Sequence, residues 1–277
     1  MPSAIPEELR RLQIDLPACP RALIELQALL GRSDLHAQAC ADVIAADMAL
    51  AAEVIKTVNS AMFGLLRRVD HVGEALRYLG TEQVAAITLQ AALRRAFTPT
   101  PLIDRIWARA AALSWVMGRS ARSLGIDPWL AHSAGLFALS GQAIFASRSD
   151  LFSRGYAALC ESHAGQPADQ AEAEAALIGV GHHAVASALC AQWGLSNQVV
   201  RYVRARATSP GTWSLQELPV RRLLVLGEAT EHLLLDAAAA LPGDERIEAC
   251  AWTPDELEHA IRPHIDAVRA SNRSAVD

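Results

Sequence analysis

Residues 47–64, DMALAAEVIKTVNSAMFG, decide the fold class of the first part of the chain because they contain one complete helix with both of its ends. Apolar residues recur at the i, i+3, i+4, i+7 spacing of a single buried helix face: Ala51, Val54, Ile55 and Val58. Asp47 precedes this pattern and has the short acceptor side chain of an N-cap. The helix is predicted to stop at Asn59-Ser60, before Gly64, whose missing Cβ permits a left-handed turn.

The same helical spacing continues on both sides of this stretch, and the alternation typical of strands is not convincing anywhere. Four further helices are predicted around it: Leu23–Leu30, closed by Gly31; His36–Ala46; Val72–Leu79, ended by Gly80; and Thr81–Ala96, with Thr81 as the cap. The sequence therefore predicts an all-α fold that opens with five helices.

The proline-rich segment Thr98-Pro99-Thr100-Pro101 is the strongest internal break, because each proline disfavours helix in the residue before it. It predicts a boundary between an N-terminal helical subdomain, residues 16–96, and a second helical subdomain, residues 97–207. A linker at 208–216 and a helical C-terminal extension are predicted to complete the chain to residue 277. The last helix begins with the capping box Thr253-Pro254-Asp255-Glu256.

Composition favours a helical protein without a polyanionic partner. Hydrophobic residues make up 52% of the chain and aromatic residues only 5%, and the excess of alanine and leucine favours helix over strand. Lysine and arginine number 25 against 30 aspartate and glutamate residues, a net charge of −5. No nucleic-acid partner is therefore predicted.

The cysteines and the apolar runs indicate a cytoplasmic protein. Five cysteines, odd in number and without a C-x-x-C pair, argue against a disulfide framework and a zinc knuckle. Charged residues within Met1–Leu16 exclude a signal-peptide core, and no apolar run reaches the length of about 18 residues that a membrane span needs. Because no apolar run is long enough, no membrane association is predicted. P-loop and dinucleotide-binding glycine patterns are also absent, and no cofactor is predicted.

Several motifs in one order make Leu16 to Leu93 resemble the start of an HDOD domain, and the resemblance continues less sharply to about Ala207. The motifs read Leu16-Pro17-Ala18-Cys19-Pro20, Asp47 with Leu50, Asn59-Ser60-Ala61-Met62-Phe63-Gly64, and Leu79-Gly80. The resemblance implies an N-terminal five-helix subdomain packed on a degenerate HD-like helical subdomain. It also implies a role in bacterial signal transduction through protein contact.

The resemblance implies that the HD-type phosphohydrolases are enzymatic relatives of this chain. They bind a divalent metal with a histidine, a following His-Asp pair and a later histidine or aspartate, and the metal acidifies a water. Placed along the resemblance, the first histidine falls at Arg109 and the pair at Ala138-Leu139, whereas His182 matches the later histidine. Three ligand positions hold residues that are not ligands, so neither a metal nor a catalytic residue is predicted.

Each candidate residue also has a structural interpretation. One histidine of His182-His183 is expected to cap or pack near a helix start while the other is solvated, because neighbours at i and i+1 do not face the same way. Arg109 either holds an anion in a vestigial pocket or is a surface or salt-bridged arginine. In residues 59–64, Asn59 and Ser60 satisfy the helix end, or Phe63 is an exposed anchor on a partner-recognition edge.

The function predicted from these observations is a non-catalytic signalling module that binds a protein partner, with ligand binding as an addition. The alternative is a residual HD-type phosphohydrolase or nucleotide-binding module. A helical DNA-binding regulator is a third hypothesis, which the acidic charge balance disfavours. The sequence does not identify the partner, the input signal or the oligomeric state.

Overall fold

The computed structural model describes residues 16–30, 37–60, 63, 65, 67–163, 167–236, 238–239 and 241–274. Within these residues the chain forms fifteen α-helices and two 3-10 segments, and no strand. The all-α prediction is therefore confirmed. The predicted roles of Gly31, His36 and Gly64 fall outside the described residues.

The helices follow one another with short connections. The first five are α1 Arg21–Leu30, α2 Ala37–Ala45, α3 Met48–Val58, α4 Val72–Leu79 and α5 Thr81–Arg95. The next five are α6 Pro101–Ala121, α7 Pro128–Phe137, α8 Ser140–Ser147, α9 Ser149–Ser162 and α10 Pro167–Ile178. The last five are α11 His182–Gln192, α12 Asn197–Ala205, α13 Leu218–Leu235, α14 Asp244–Glu248 and α15 Pro254–Ser274. The 3-10 segments are Arg122–Leu124 and Pro210–Leu215.

The described residues divide into two compact units. The first unit contains residues 18–96 and 266–274, and the second unit contains residues 16–17 and 97–265. The chain passes from the first to the second between Ala96 and Phe97, next to the proline-rich segment that precedes α6. Residues 208–265 belong to the second unit.

In the first unit, α3 has the ends and the buried face that its sequence predicts. Asp47 accepts a hydrogen bond from the Leu50 amide at 3.0 Å, as expected of an N-cap. Val54 and Val58 are fully buried in a core formed with apolar residues of the neighbouring helices, among them Leu26, Ile44, Leu76, Val84 and Ile87. The apolar stripe of α3 therefore supplies part of this unit's core.

The connection between α4 and α5 corrects one sequence-based expectation. Gly80 ends α4 with φ of 82° and is also the N-cap of α5, so a single residue joins the two helices. Thr81, predicted as the cap, is instead the first residue of α5, and α5 has no side-chain cap. Glycine suits this junction because its backbone adopts positive φ without a Cβ clash.

In the second unit, α6 packs along α7. Thr100 caps α6, with its side chain accepting from the Ile103 amide at 3.2 Å, and Asp127 caps α7, accepting from Leu130 at 2.7 Å. Gly135 on α7 permits close approach, because a Cβ there would lie 2.7 Å from the Ser114 Cα. Gly125, with φ of 67°, ends the 3-10 segment that follows α6.

The segment predicted as a linker, residues 208–216, contains the 3-10 segment Pro210–Leu215. Trp213 is buried, and its indole N–H donates to the Ala205 carbonyl at 3.2 Å. Burial of this large side chain fixes a segment whose Ser-Pro-Gly composition alone indicates a loop. Farther on, the capping box is confirmed: the Thr253 amide donates to Glu256 at 2.8 Å, and the Glu256 amide donates back to the Thr253 hydroxyl at 3.2 Å.

Among the described residues, no single helix has both the length and the hydropathy that a membrane crossing requires. Residues Asp169–Ile178 and His182–Gln192 meet these criteria only when taken together, and they are bent by 86° at the break between them.

Candidate functional site

His182 lies at the centre of a buried polar cluster in the second unit. It is the first residue of α11, and it faces Glu174 of the preceding helix α10. One carboxylate oxygen of Glu174 accepts from the His182 amide at 2.7 Å and from the imidazole Nδ1 at 2.6 Å. Neither side chain has measurable exposure to solvent. The partner of Nδ1 is a carboxylate, so we assign the ring proton to this nitrogen.

The other carboxylate oxygen of Glu174 is occupied as well. The Tyr156 hydroxyl donates to it at 2.9 Å, and the Gln170 amide donates at 3.0 Å. Burial opposes ionisation of Glu174, but its attraction to the His182 ring and these hydrogen bonds outweigh burial and lower the pKa of the carboxyl. Burial and the neighbouring carboxylate raise the pKa of Tyr156 well above its ordinary value, so the phenol is a neutral donor.

Helix α8 closes the cluster on the side of the remaining imidazole nitrogen. A Cβ on Gly141 would lie 2.0 Å from the His182 carbonyl oxygen, so only glycine lets α8 come this close to the start of α11. The amide nitrogen of Gln142 then lies 3.5 Å from the His182 Nε2. With the proton on Nδ1, Nε2 is the acceptor in this long contact.

His183 corrects the expectation that one residue of the histidine pair is solvated. Both histidines are buried, and their ring centroids are 3.8 Å apart, so the two rings do meet despite their adjacent positions. Both residues lie at the start of α11, which packs against α8, α10 and α12. Burial, together with the nearby His182 and Arg206, lowers the pKa of His183 well below its ordinary value. His183 is therefore neutral near pH 7.

The positions that the HD resemblance assigns to metal ligands do not fit a metal. Arg109 is exposed on α6, whereas Ala138 and Leu139 are buried in the turn between α7 and α8. The Nδ1 of His182 donates to Glu174, and its Nε2 faces the amide nitrogen of Gln142 and not a second metal-ligand side chain. Within the described residues, no group of three or more histidine, cysteine, aspartate or glutamate side chains is placed to hold a metal ion. The anion pocket proposed at Arg109 remains a prediction.

Asn59 holds the loop that follows α3. Its side-chain amide donates to the Val69 carbonyl at 2.7 Å, and its side-chain oxygen accepts from the Val69 amide at 2.8 Å. Ser60 is exposed, and Phe63 is half-buried against the core of the first unit. These contacts support a structural role for the motif, and its role as a partner-recognition edge stays a prediction.

Comparisons with known proteins give a family model and a curated relative. A family model of the HDOD domain matches residues 16–209. An uncharacterized protein of Treponema pallidum (strain Nichols) is 24% identical over 199 residues, which cover 71% of this chain. The match spans only 38% of the length of that curated relative.

Two solved structures share the fold. The first is a Shewanella amazonensis SB2B protein provisionally named a phosphohydrolase, with a TM-score of 0.70, 17% identity, and coverage of 97% of this chain and 98% of that chain. The second is a Marinobacter aquaeolei VT8 protein provisionally named a signal transduction protein, with a TM-score of 0.74 and 22% identity. That match covers 95% of this chain and 60% of the neighbour. At these identities the two structures establish the fold alone.

Proposed function

This chain belongs to the HDOD domain family, and on that premise we propose that it is a non-catalytic regulatory module of bacterial signal transduction that acts by binding a protein partner. The observation that carries the proposal is the environment of the positions that the HD resemblance assigns to metal ligands. Ala138 and Leu139 offer no side-chain ligand atoms, Arg109 brings a positive charge, and the Nε2 of His182 faces the Gln142 side chain. A catalytic metal needs several converging N or O ligands.

The alternative, a residual phosphohydrolase or nucleotide-binding module, is supported by the provisional names of structural neighbours at 17% and 18% identity. A phosphohydrolase function would require His182 for hydrolysis. A DNA-binding regulator is less well supported, because the chain carries a net charge of −5 and phosphate binding relies on clustered basic residues.

A metal and phosphatase assay separates the first two functions. The chain is purified without chelator, its Zn, Mn, Fe and Mg content is measured, and phosphate release from nucleotides and cyclic dinucleotides is followed with added Mn²⁺ or Mg²⁺. We expect substoichiometric metal and no release above that of the buffer. Near-unit metal occupancy, or turnover that His182→Ala abolishes in a still-folded protein, would place the phosphohydrolase function first.

A binding assay tests the positive part of the proposal. The immobilised full chain captures proteins from the source cell, and each candidate is then purified and tested for a saturable complex by calorimetry. We expect at least one stoichiometric partner. Ser60→Ala tests the predicted recognition edge without disturbing the core, because Ser60 is exposed. Failure of every purified candidate to bind would contradict the proposed protein contact.

A further inference from the structure

The first unit contains a cavity of about 500 Å³ that no part of the proposed function uses. Its walls come from the segment before α1 and from α1, α2, α3 and α5. The apolar part of the lining is Ala18, Pro20, Ala22, Val43, Ala46, Leu50, Ala92 and Ala96. Four charged side chains complete it: Arg21, Glu25, Asp47 and Arg95. The volume lies in the range typical of small-molecule sites.

The charged residues form two ion pairs, and both arginines keep N–H groups that these pairs do not use. Arg21 contacts Glu25 through its Nε at 2.6 Å, and Arg95 contacts Asp47 through one Nη at 2.6 Å. Asp47 uses its other oxygen to cap α3, so its acceptors are occupied. Each guanidinium carries five N–H groups. The two arginines therefore keep most of their donors, whereas only one carboxylate oxygen, on Glu25, lacks a hydrogen bond within the described residues.

The start of α1 lies in the same lining. The Pro20 carbonyl accepts from the amides of Leu23 and Ile24. The amides of Arg21 and Ala22 precede these bonds, at the end of the helix where backbone N–H groups have no intrahelical acceptor and where the helix dipole is positive. Both residues line the cavity. The lining is thus rich in donors around an apolar wall.

We propose that this cavity binds a small organic carboxylate, with the carboxylate held by Arg21 and Arg95 and the apolar body against the alanine-rich wall. Arginine forks match a carboxylate in geometry. The two arginines and two carboxylates of the lining are together formally neutral, and the arginines keep more unused hydrogen-bond groups than the carboxylates. A single negative charge on an apolar molecule therefore fits better than a polyphosphate or a cation. This site does not depend on the proposed protein partner, since it is a property of the isolated chain.

The test is an NMR titration of the full chain labelled with ¹⁵N. The ligands are hexanoate, 4-phenylbutyrate and N-acetyl-leucine, and the matched neutral controls are hexanamide and 4-phenylbutyramide. We expect at least one carboxylate to give saturable shifts at the amides of residues 21–25, 47–50 and 92–96, and the neutral amides to bind at least about tenfold more weakly. Equal binding of acid and amide would overturn the proposal.

One variant and its control test the contribution of Arg21. Arg21→Gln should weaken the carboxylate about tenfold, because a charge-assisted hydrogen bond is lost. The Arg21 side chain is 92% exposed, so the fold should tolerate this change. Arg77→Gln, at an exposed arginine of the same unit outside the cavity, should leave the affinity unchanged. No saturable shift with any carboxylate up to about 10 mM, or equal loss in both variants, would refute the site while leaving the proposed protein contact untouched.

Discussion

Replacing Glu174 with alanine is predicted to destabilise the second unit strongly. The change removes the acceptor of four hydrogen bonds, from Tyr156, Gln170 and two groups of His182, all at 2.6 to 3.0 Å. A buried donor that loses its acceptor costs about 1–3 kcal/mol, and four donors lose theirs here, so we expect a loss of about 3–5 kcal/mol after partial relaxation of the packing. Glu174→Gln keeps the volume and part of the hydrogen bonding, so we expect a smaller loss of about 1–3 kcal/mol.

Tryptophan fluorescence during urea unfolding measures the loss of stability in the second unit, which contains Glu174. All six tryptophans lie in the second unit, at residues 107, 115, 129, 193, 213 and 252. Glu172→Gln is the matched control, since Glu172 is an exposed glutamate on the same helix. We expect the control to stay within about 0.5 kcal/mol of the parent protein. If Glu174→Ala and Glu172→Gln have equal unfolding midpoints, the cluster does not stabilise the unit and the reasoning fails.

Three further perturbations follow from single contacts. Gly141→Ala should lower the free energy of unfolding in urea by about 1–3 kcal/mol or more, because the added Cβ overlaps the first turn of α11. Gly155→Ala is the control: its Cβ meets open space within a helix, so this change should be neutral or stabilising. Burial lowers the pKa of His132 from 6.5 to about 4. Between pH 6.5 and about 4, the unfolded chain therefore binds a proton at His132 that the folded chain does not bind. The free energy of unfolding should fall by up to about 3 kcal/mol as pH drops through this range, and His132→Gln should show a smaller fall. Asn59→Ala should speed amide hydrogen exchange at Val69 by at least about tenfold, because the Val69 amide loses its acceptor. An unchanged exchange rate would contradict a role of Asn59 in holding this loop.

The helical fold was predictable because local signals in the sequence are strong and agree with one another. The caps at Asp47 and Asp127, the capping box at Thr253 and the glycine turn at Gly80 depend on residues within four positions. Segments held by distant contacts were harder to predict. Residues 210–215 form a 3-10 segment with a buried Trp213, although their composition is that of a loop.

The polar cluster was only partly predictable. His182 is marked by the family resemblance, but Glu174, Tyr156 and Gln170 are not part of any motif that the resemblance supplies. A weak signal does exist on α10. Gln170 and Glu174 lie at i and i+4, in line with the buried Ile178 at the following i+4 position. Polar residues in register with a buried apolar residue indicate a satisfied internal contact, but the partner can be found only from the packing of the helices.

The Glu174–His182 pair also bears on how the surviving histidine should be interpreted. A carboxylate that fixes one imidazole nitrogen is the arrangement that commonly orients a metal-binding histidine. Here the other nitrogen faces Gln142 instead of converging ligands. Since loss of either member of a buried, hydrogen-bonded pair destabilises the fold whatever the chemistry nearby, stability alone is a sufficient reason to retain both. The presence of His182 at a position that the HD resemblance assigns to a ligand is therefore no argument for catalysis, and the Glu174 variants test this stabilising role directly.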